Sequence, residues 1–169
     1  MSKKPIISMV AAMDEQRGIG YKNMIPWKIK EDLVRFRDLT VGKTVIFGRK
    51  TYESLLGYYQ RSGKAMPKRK TVVVSRSAHQ KEGETCFVSS FEEALKLARK
   101  IEPEEVFVSG GAQIFNLGID YAQKLYLTVV KGKYRADTFF PDYSKFKIVK
   151  KEDRSNEKHS YSFLEMVRK

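Results

Sequence analysis

Cysteine and histidine are scarce in this 169-residue sequence: Cys86 is the single cysteine, and His79 and His159 are the only histidines. One cysteine excludes a disulfide framework and a cysteine-rich metal site. The two histidines stand at ligand spacing neither to each other nor to Cys86, so the sequence predicts no metal site. So few histidines also leave no basis for a Ser-His-acid arrangement or an activated covalent nucleophile.

Long apolar runs are missing as well. No uninterrupted stretch approaches the roughly 18 apolar residues that a membrane-spanning helix requires, and residues 1–5 lack the cleavage pattern of a secretory signal. These absences predict a cytoplasmic protein with no membrane partner. Hydrophobic residues still make up 41% and aromatic residues 12% of the chain, which is enough for a folded core. The length predicts one domain that covers residues 1–169.

Acidic residues are outnumbered, since 33 lysines and arginines accompany 20 aspartates and glutamates, for a formal net charge of +13. One interpretation is an anionic partner such as a nucleic acid, a nucleotide cofactor or an acidic substrate. The other is a solvated, lysine-rich surface that keeps a small protein soluble. The basic residues are spread along the chain and are densest over residues 61–70 and 145–158. This spread favours the solvated surface for most of them, and charge alone does not decide the function.

The order of apolar segments predicts an α/β fold. Residues 29–39 carry apolar side chains at helical spacing, and Ser90 and Glu93 form a capping-box pattern that opens a helix through residue 99. Shorter helices are predicted to begin at Arg49 and Ala112, and the irregular stretch 57–68 is interpreted as a surface loop. Short apolar runs predict strands at residues 6–12, 44–47, 71–74, 86–88, 106–108, 125–130, 146–151 and 161–167.

Strands that alternate with helices predict a mostly parallel central sheet, flanked by helices and connected by right-handed crossovers. The last two strands are separated only by a polar turn that includes Ser155 and Asn156. They therefore predict an antiparallel hairpin at one edge of the sheet.

Two familiar phosphate-binding motifs are incomplete. Gly42-Lys43-Thr44 lacks the preceding glycine of a P-loop, because Arg37 stands at that position. Gly18-Ile19-Gly20 lacks the third glycine of a dinucleotide fingerprint, because Asn23 stands there. Neither motif is predicted to bind phosphate.

Asp32 is the most informative residue of the sequence. It falls three residues after Ile29 and four before Phe36, on the same predicted face as Leu33. It is either a first-turn aspartate favoured by the helix dipole or a carboxylate in the wall of an apolar pocket, where it would bind a cationic or amidine-like ligand edge with a raised pKa. Trp27, the only tryptophan, either packs in the core or lies near the mouth of the same pocket.

Glycines and basic residues follow several predicted strands. Gly48, Arg49, Lys50 and Thr51 follow one strand and open a helix, and Ser75-Arg76 ends the neighbouring strand. Backbone N–H groups at a helix N-terminus, with arginines beside them, bind anions. The alternative is that these arginines are simply solvated. Gly110-Gly111 also separates a strand from a helix, either as a tight turn that needs positive φ or as a close approach to a pyrophosphate.

An ordered series of segments along the whole chain resembles dihydrofolate reductase. The matching segments are Ile7-Ser8-Met9-Val10-Ala11-Ala12, Gly18-Ile19-Gly20, Pro26-Trp27, Asp32-Leu33 with Phe36, Gly48-Arg49-Lys50-Thr51-Tyr52-Glu53-Ser54, Pro67-Lys68-Arg69-Lys70, Val74-Ser75-Arg76, Ser109-Gly110-Gly111-Ala112-Gln113-Ile114-Phe115, Leu125-Tyr126-Leu127-Thr128, Asp137-Thr138-Phe139-Phe140-Pro141 and Tyr161-Ser162-Phe163. Each motif is weak alone, but their order is specific.

The resemblance implies NADPH-dependent reduction of 7,8-dihydrofolate to tetrahydrofolate, with dihydrofolate and folate analogues as ligands. Asp32 matches the carboxylate that hydrogen-bonds the pterin 2-amino group and N3, and that promotes protonation of N5 by water while hydride passes to C6. Trp27 matches the tryptophan that orders water beside this carboxylate, and Thr128 matches the threonine hydrogen-bonded to it. The implied substrate pocket contains Val10, Ala12, Phe36 and Leu55, and Arg69 matches the arginine that pairs with the α-carboxylate of the glutamate tail.

The resemblance also implies the cofactor contacts. Arg49, Thr51, Ser75 and Arg76 match positions around the adenosine 2′-phosphate and the pyrophosphate, where two arginines favour NADPH over NADH. Gly110-Gly111 matches a cis peptide of the family. The implied cofactor site consists of Ala12, Ile19, Gly20, Gly48, Arg49, Lys50, Thr51, Ser75, Arg76, Gly110, Gly111, Ala112, Gln113 and Ile114.

Two alternatives are weaker. The pyrimidine reductase of riboflavin synthesis shares the implied fold and NADPH, but it has no need for the Trp27–Asp32 pair or for Arg69. A basic RNA-binding module would interleave basic and aromatic residues on an exposed sheet face, whereas the aromatic residues here fall mainly in strands with a core pattern. We therefore expect a monomeric enzyme without a nucleic-acid partner.

Overall fold

The structure is a computed structural model, and it describes residues 4–22, 24–77 and 83–169. Asn23, His79 and residues 1–3, which figure in the sequence analysis, lie outside the described residues. Among the helices of the described ranges, none combines the length and the apolar composition that a bilayer crossing needs.

The described chain alternates strands and helices, as the sequence predicts. The helices are α1 (Lys30–Thr40), α2 (Arg49–Ser62), α3 (Phe91–Ile101) and α4 (Ala112–Gly118). The strands are β1 (Ile6–Asp14), β2 (Gly18–Gly20), β3 (Thr44–Gly48), β4 (Lys70–Val74), β5 (Thr85–Val88), β6 (Glu105–Val108), β7 (Lys124–Val130), β8 (Thr138–Phe139), β9 (Phe146–Ser155) and β10 (Ser160–Arg168).

Eight of the described strands form one sheet in the order β5-β4-β3-β6-β1-β7-β10-β9. Every neighbouring pair from β5 to β7 is parallel. Strand β10 is antiparallel to both β7 and β9. The mostly parallel sheet and the antiparallel C-terminal hairpin at its edge are thus confirmed.

Alternate side chains of the central strands supply two apolar layers. Val45 and Phe47 of β3 pack with residues of α1 and α2 on one face of the sheet. Ile46, between them, packs with residues of α3 and α4 on the other face. Because both faces are covered, β3 is apolar throughout rather than alternating. The helices α1 and α2 therefore cover the same face of the sheet, and side chains of both helices pack together on it.

The capping prediction at Ser90 is confirmed in part. The Ser90 hydroxyl accepts a hydrogen bond from the Glu93 backbone N–H (3.1 Å), which satisfies one free donor of α3. The Glu93 carboxylate, however, accepts from the hydroxyl and the N–H of Ser89 (3.1 and 3.4 Å). The reciprocal bond of a capping box is thus displaced by one residue.

The loop prediction for residues 57–68 is wrong at its N-terminal end. Helix α2 continues through Gly57 to Ser62 and ends at Gly63, whose φ of +70° is left-handed. The apolar side chains Leu55 and Leu56 pack against the sheet cluster in this part of the helix. This packing outweighs the cost of about 1 kcal/mol of a glycine inside a helix, so only residues 63–69 form the connection to β4.

A second, two-stranded sheet was not anticipated from the sequence. Strand β2 pairs antiparallel with β8, so that Gly18 lies opposite Phe139 and Gly20 opposite Thr138. The loop predicted for Gly18 and Gly20 is therefore wrong at these two residues. This pairing ties the segment after β1 to the segment after β7.

Asp14, the last residue of β1, holds the segment that follows β1 with its carboxylate. The residue is 1% exposed, and its Oδ1 accepts from the N–H groups of Gln16 and Gly18, both at 2.8 Å. Its Oδ2 accepts from the N–H of Tyr134 at 2.9 Å. One buried carboxylate therefore anchors both the start of β2 and the segment after β7.

Asp14→Ala is expected to lower the free energy of unfolding by about 3 kcal/mol, because it leaves these backbone donors unpaired. Urea denaturation monitored by circular dichroism measures the loss. The matched control is Asp120→Ala at an exposed position, with an expected change within about 0.5 kcal/mol. A loss for Asp14→Ala no larger than that of the control would show that the three contacts do not stabilise the fold.

Candidate active site

The Asp32 carboxyl lies in the first turn of α1, against β7. Its Oδ1 accepts a hydrogen bond from the Thr128 hydroxyl at 2.5 Å. Burial raises the pKa of Asp32, while the hydrogen bond from Thr128 and the positive charge of Arg35 act in the opposite direction. The balance is a pKa above its ordinary value, as expected of a carboxyl in a partly apolar wall.

The residues predicted beside Asp32 form an apolar surface. Val10 belongs to a buried cluster against which Phe36 and Leu55 pack. Leu33 differs from the prediction, because it is 40% exposed and does not share the buried face of α1. The buried side of this helix is narrower than the apolar pattern indicates. It includes half-buried Asp32, whose carboxyl bonds Thr128, and leaves out Leu33.

Arg69 lies just before β4 and is 7% exposed. Its guanidinium carbon lies 5.2 Å from the centre of the Phe36 ring. The Tyr59 hydroxyl interacts with the guanidinium, but none of the three nitrogens makes a hydrogen bond of good geometry to a described residue. Burial lowers the pKa of Arg69, and the Tyr59 hydroxyl opposes this shift. A buried cation that faces a neutral hydroxyl and an aromatic ring is poorly compensated, so this position is suited to an incoming anion.

Trp27 lies in a third buried cluster with Ile29, Tyr161 and Phe163, against which Ala12 packs. Ala12 is also the register neighbour of Thr128 across β1 and β7. The described contacts include no direct hydrogen bond between Trp27 and Asp32. Trp27 is therefore a packing residue of this cluster, and its ring meets that of Tyr134 edge to face.

A backbone cradle forms where β3 and β6 end. The Gly48 N–H donates to the Gly110 carbonyl at 2.7 Å, and the Gly110–Gly111 peptide is cis. A Cβ at Gly48 would lie 3.2 Å from Ile114, and one at Gly111 would lie 3.3 Å from the Thr51 hydroxyl. Gly110 has φ +103°, which side chains rarely adopt. The cradle is therefore open only because these positions are glycine.

The remaining predicted cofactor residues differ in burial and in the elements that carry them. Ser75 is 5% exposed and follows β4, the neighbour of β3, whereas Arg76 and Lys50 are exposed. Arg49 forms an ion pair with Glu53 at 3.1 Å. Of the others, Ala112 and Gln113 begin α4 with Gln113 exposed, Ile114 is buried, and Ile19 and Gly20 lie on β2.

Sequence reasoning missed two groups near Asp32. Arg35 donates to the Thr128 hydroxyl at 3.4 Å, and the Tyr161 hydroxyl donates to Glu31 at 2.9 Å. Burial and the Glu31 carboxylate raise the pKa of Tyr161 to about 12. The spacing of Arg35, three residues after Asp32 on one helix, is a signal that could have found the first group.

Comparison with known proteins supplies independent evidence. Residues 6–168 match the family model described as dihydrofolate reductase. A dihydrofolate reductase of Bacillus subtilis is 38% identical over 162 residues, covering 94% of this chain and 90% of that protein. One of Staphylococcus aureus is 34% identical over 168 residues, covering 96% and 98%.

A solved structure is also similar. It is described as dihydrofolate reductase from Enterococcus faecalis complexed with NADP(H) and RAB-propyl. It superimposes with a TM-score of 0.81 at 27% sequence identity, over 96% of each chain.

Proposed function

This chain belongs to the dihydrofolate reductase family, and on that premise we propose that it reduces 7,8-dihydrofolate to 5,6,7,8-tetrahydrofolate with NADPH. The observation that carries the proposal is the Asp32 carboxyl, which is shielded enough to have a raised pKa and is held by the Thr128 hydroxyl at 2.5 Å. A carboxylate in such a setting binds a paired N–H edge strongly, and the pterin presents one at its 2-amino group and N3.

Asp32 also promotes the protonation step of the reaction. Reduction of the pterin C6–N5 double bond needs a proton at N5, and the negative charge of Asp32 on the ring edge favours that protonation. Water delivers the proton, since the carboxylate contacts the opposite edge of the ring. The Thr128 hydrogen bond uses one acceptor site of Oδ1 and leaves the second site of Oδ1 and both sites of Oδ2 for the two N–H groups of the ring.

The rest of the substrate is matched by the surface around Asp32. Val10, Phe36 and Leu55 provide apolar contacts for the pterin and benzoyl rings, and they already pack on one cluster. Arg69 would receive the α-carboxylate of the glutamate tail, which supplies a charged, bidentate acceptor where the described residues offer the neutral Tyr59 hydroxyl. Arg69 lies against Phe36, so the apolar wall and the anion site are contiguous.

The backbone cradle fits NADPH. A side chain at Gly48, Gly110 or Gly111 would crowd Ile114, Phe115 or Thr51, whereas glycines let a pyrophosphate approach the backbone. The cofactor supplies the hydride for C6. The N-terminus of α2, which has no acidic residue in its first turn, would hold phosphate with its free N–H groups. Thr51, Ser75, Arg76 and Arg49 would bind the remaining phosphate oxygens.

Arg76 is the arginine best placed to select for the 2′-phosphate, because Arg49 is already paired with Glu53. Arg76→Gln is expected to weaken NADPH binding about 10- to 100-fold, the equivalent of one to two charged hydrogen bonds, and to leave NADH binding nearly unchanged. Fluorescence titration of both cofactors measures the two affinities. Arg61→Gln, an exposed arginine near the other end of α2, should alter neither. Equal losses for both cofactors would remove Arg76 from this role.

We propose in addition that the chain acts as one domain, as a monomer, in the cytoplasm and without nucleic-acid or membrane partners. Strands from both ends of the chain support the single domain, since β1 and β10 both pair with β7 in the large sheet. Light scattering coupled to size exclusion tests the monomer, and a molar mass of two chains would contradict it.

The test of the proposed reaction is consumption of NADPH by the purified protein with dihydrofolate, and separately with the pyrimidine substrate of riboflavin synthesis. We expect turnover only with dihydrofolate. Turnover only with the pyrimidine would replace the proposal by the pyrimidine reductase, for which Arg69 has no evident role.

A further inference from the structure

Arg35 is bound tightly for an arginine on an outer helix. It lies one turn after Asp32 on α1, and its Nη1 donates to the Leu127 carbonyl (3.2 Å) and to the Thr128 hydroxyl (3.4 Å). Its Nη2 donates to the Leu164 carbonyl at 3.2 Å. The guanidinium thus spans two neighbouring strands, β7 and β10, directly beside the hydroxyl that holds Asp32.

Aromatic rings fix the plane of this guanidinium. Its central carbon lies 4.5 Å from the centre of the Phe163 ring and 6.0 Å from that of Tyr126. Burial lowers the pKa of Arg35, and Asp32 is the strongest of the negative charges that oppose this effect. An arginine remains protonated under all such conditions. Arg35 is therefore a fixed positive charge close to the carboxyl.

We propose that Arg35 is a positioning residue of this active site: it keeps the Thr128 hydroxyl oriented toward Asp32 and supplies the positive charge that favours the ionised carboxylate. Its relevance to turnover rests on the proposed function. The hydroxyl oxygen of Thr128 accepts a hydrogen bond from Arg35, and the same hydroxyl donates a hydrogen bond to Asp32. The three groups therefore form one chain of hydrogen bonds that runs from Arg35 to Asp32. A donor on the oxygen of a hydroxyl strengthens the bond that the hydroxyl itself donates.

The other charged groups near Asp32 do not replace Arg35. Glu31 is the neighbour of Asp32 on α1, and Tyr161 approaches from β10. The Tyr161 hydroxyl donates a hydrogen bond to Glu31. Neither supplies positive charge. Arg35 is the cation that lowers the pKa of Asp32, against the larger effect of burial.

Arg35 also faces carboxylates on the outer side. It lines a groove of about 420 Å³ together with Glu152 of β9 and Glu165 of β10. Both carboxylates have cations of their own: Glu165 pairs with Lys124, and Glu152 pairs with Lys150 and Arg154. The two carboxylates are therefore compensated by other cations, and the positive charge of Arg35 still acts on the Asp32 carboxyl.

The titration of Asp32 in the free protein tests whether Arg35 favours the ionised carboxylate. Carbon-13 chemical shifts of the aspartate carboxyls are followed against pH, and the Asp32 signal is assigned by its loss in Asp32→Asn. Arg35→Met removes the positive charge, so the ionised form becomes less favourable and the pKa of Asp32 should rise, by about 0.5 to 1 unit. Arg35→Lys keeps the charge and should shift the pKa by less than about 0.3 unit.

The matched control is Arg37→Met on the same helix. Arg37 is exposed and pairs with Asp38, so solvent screens its charge and the pKa of Asp32 should move by less than about 0.2 unit. Equal shifts for Arg35→Met and Arg37→Met would overturn the proposal, as would no shift in Arg35→Met. Should Arg35→Met not fold, Arg35→Gln, which keeps donors for the two carbonyls, carries the same expectation.

Kinetics separate this inference from the proposed reaction. In a protein that reduces dihydrofolate, the acid limb of the pH profile of kcat/KM should move to higher pH in Arg35→Met, by the same amount as the pKa of Asp32. Arg35→Lys should return this limb to its original pH. An unmoved acid limb beside a shifted titration would overturn the role of Arg35 in turnover. A shifted titration in a protein without any turnover would instead refute the proposed reaction and leave the Arg35–Asp32 coupling standing.

Discussion

Asp32→Asn is expected to reduce dihydrofolate-dependent NADPH oxidation by about 100- to 10,000-fold, the range for loss of a group that assists proton transfer. Asparagine can still accept the hydrogen bond from Thr128, so the geometry of the site persists. It cannot supply the negative charge that favours protonation of N5. Single-turnover measurements with saturating NADPH isolate this effect from product release.

The same substitution is expected to stabilise the fold at neutral pH. The pKa of Asp32 is raised in the folded protein, so the native state holds its proton more tightly than the unfolded chain does. Stability therefore falls as the pH rises from the unfolded pKa through the folded one. Asp32→Asn removes that loss, so its melting temperature should exceed that of the original protein at neutral pH, with the difference shrinking toward low pH.

Asp38→Asn is the matched control, because Asp38 lies on the same helix and is exposed. It should leave both turnover and melting temperature nearly unchanged. If Asp32→Asn turned over as fast as Asp38→Asn, the carboxylate would not take part in the reaction.

Arg69→Met is expected to raise the KM for dihydrofolate about 10- to 100-fold, because a bidentate bond from a guanidinium to a carboxylate is lost. The value of kcat should change much less, since Arg69 contacts the tail rather than the reacting ring. The folded protein should become more stable, by about 1 kcal/mol, because a buried guanidinium whose nitrogens make no well-aligned hydrogen bond to a described residue is replaced by an apolar side chain. Steady-state kinetics and urea denaturation measure the two effects.

Lys68→Met controls for charge in this segment, because Lys68 is adjacent and exposed. It should change the KM less than about threefold, as expected of a screened surface charge. A substrate truncated to the pteroyl group, without the glutamate, provides a second control and should not distinguish Arg69→Met from the original protein. A KM increase that persists with the truncated substrate would show that Arg69 supports the pocket rather than the tail.

Much of the fold was predictable because its signals are local. The run of apolar residues in β1 and the helical spacing in α1 each follow from the periodicity of one element. The parallel order of the sheet follows from strands that alternate with helices. Asp32 could be singled out in the same way, as a carboxylate at a helical position shared with apolar residues.

What the sequence did not predict depends on contacts between distant segments. The pairing of β2 with β8 joins residues more than a hundred positions apart, and Gly18 and Gly20 carry no strand propensity of their own. The extension of α2 through Gly57 required the packing of Leu55 and Leu56 on the sheet. Arg35 appears as one more basic residue in a basic chain until β7 and β10 place carbonyls and a hydroxyl around it.

Transfer of a labelled hydride to the pterin reports on the proposed reaction itself. Dihydrofolate is incubated with the protein and with NADPH that carries deuterium at the transferable position of nicotinamide C4, and the product is analysed by mass spectrometry and proton NMR. We expect tetrahydrofolate with one deuterium at C6, formed in step with NADPH consumption and formed about 100- to 10,000-fold more slowly by Asp32→Asn. A folded protein that binds NADPH but places no deuterium at pterin C6 would contradict the proposed reaction.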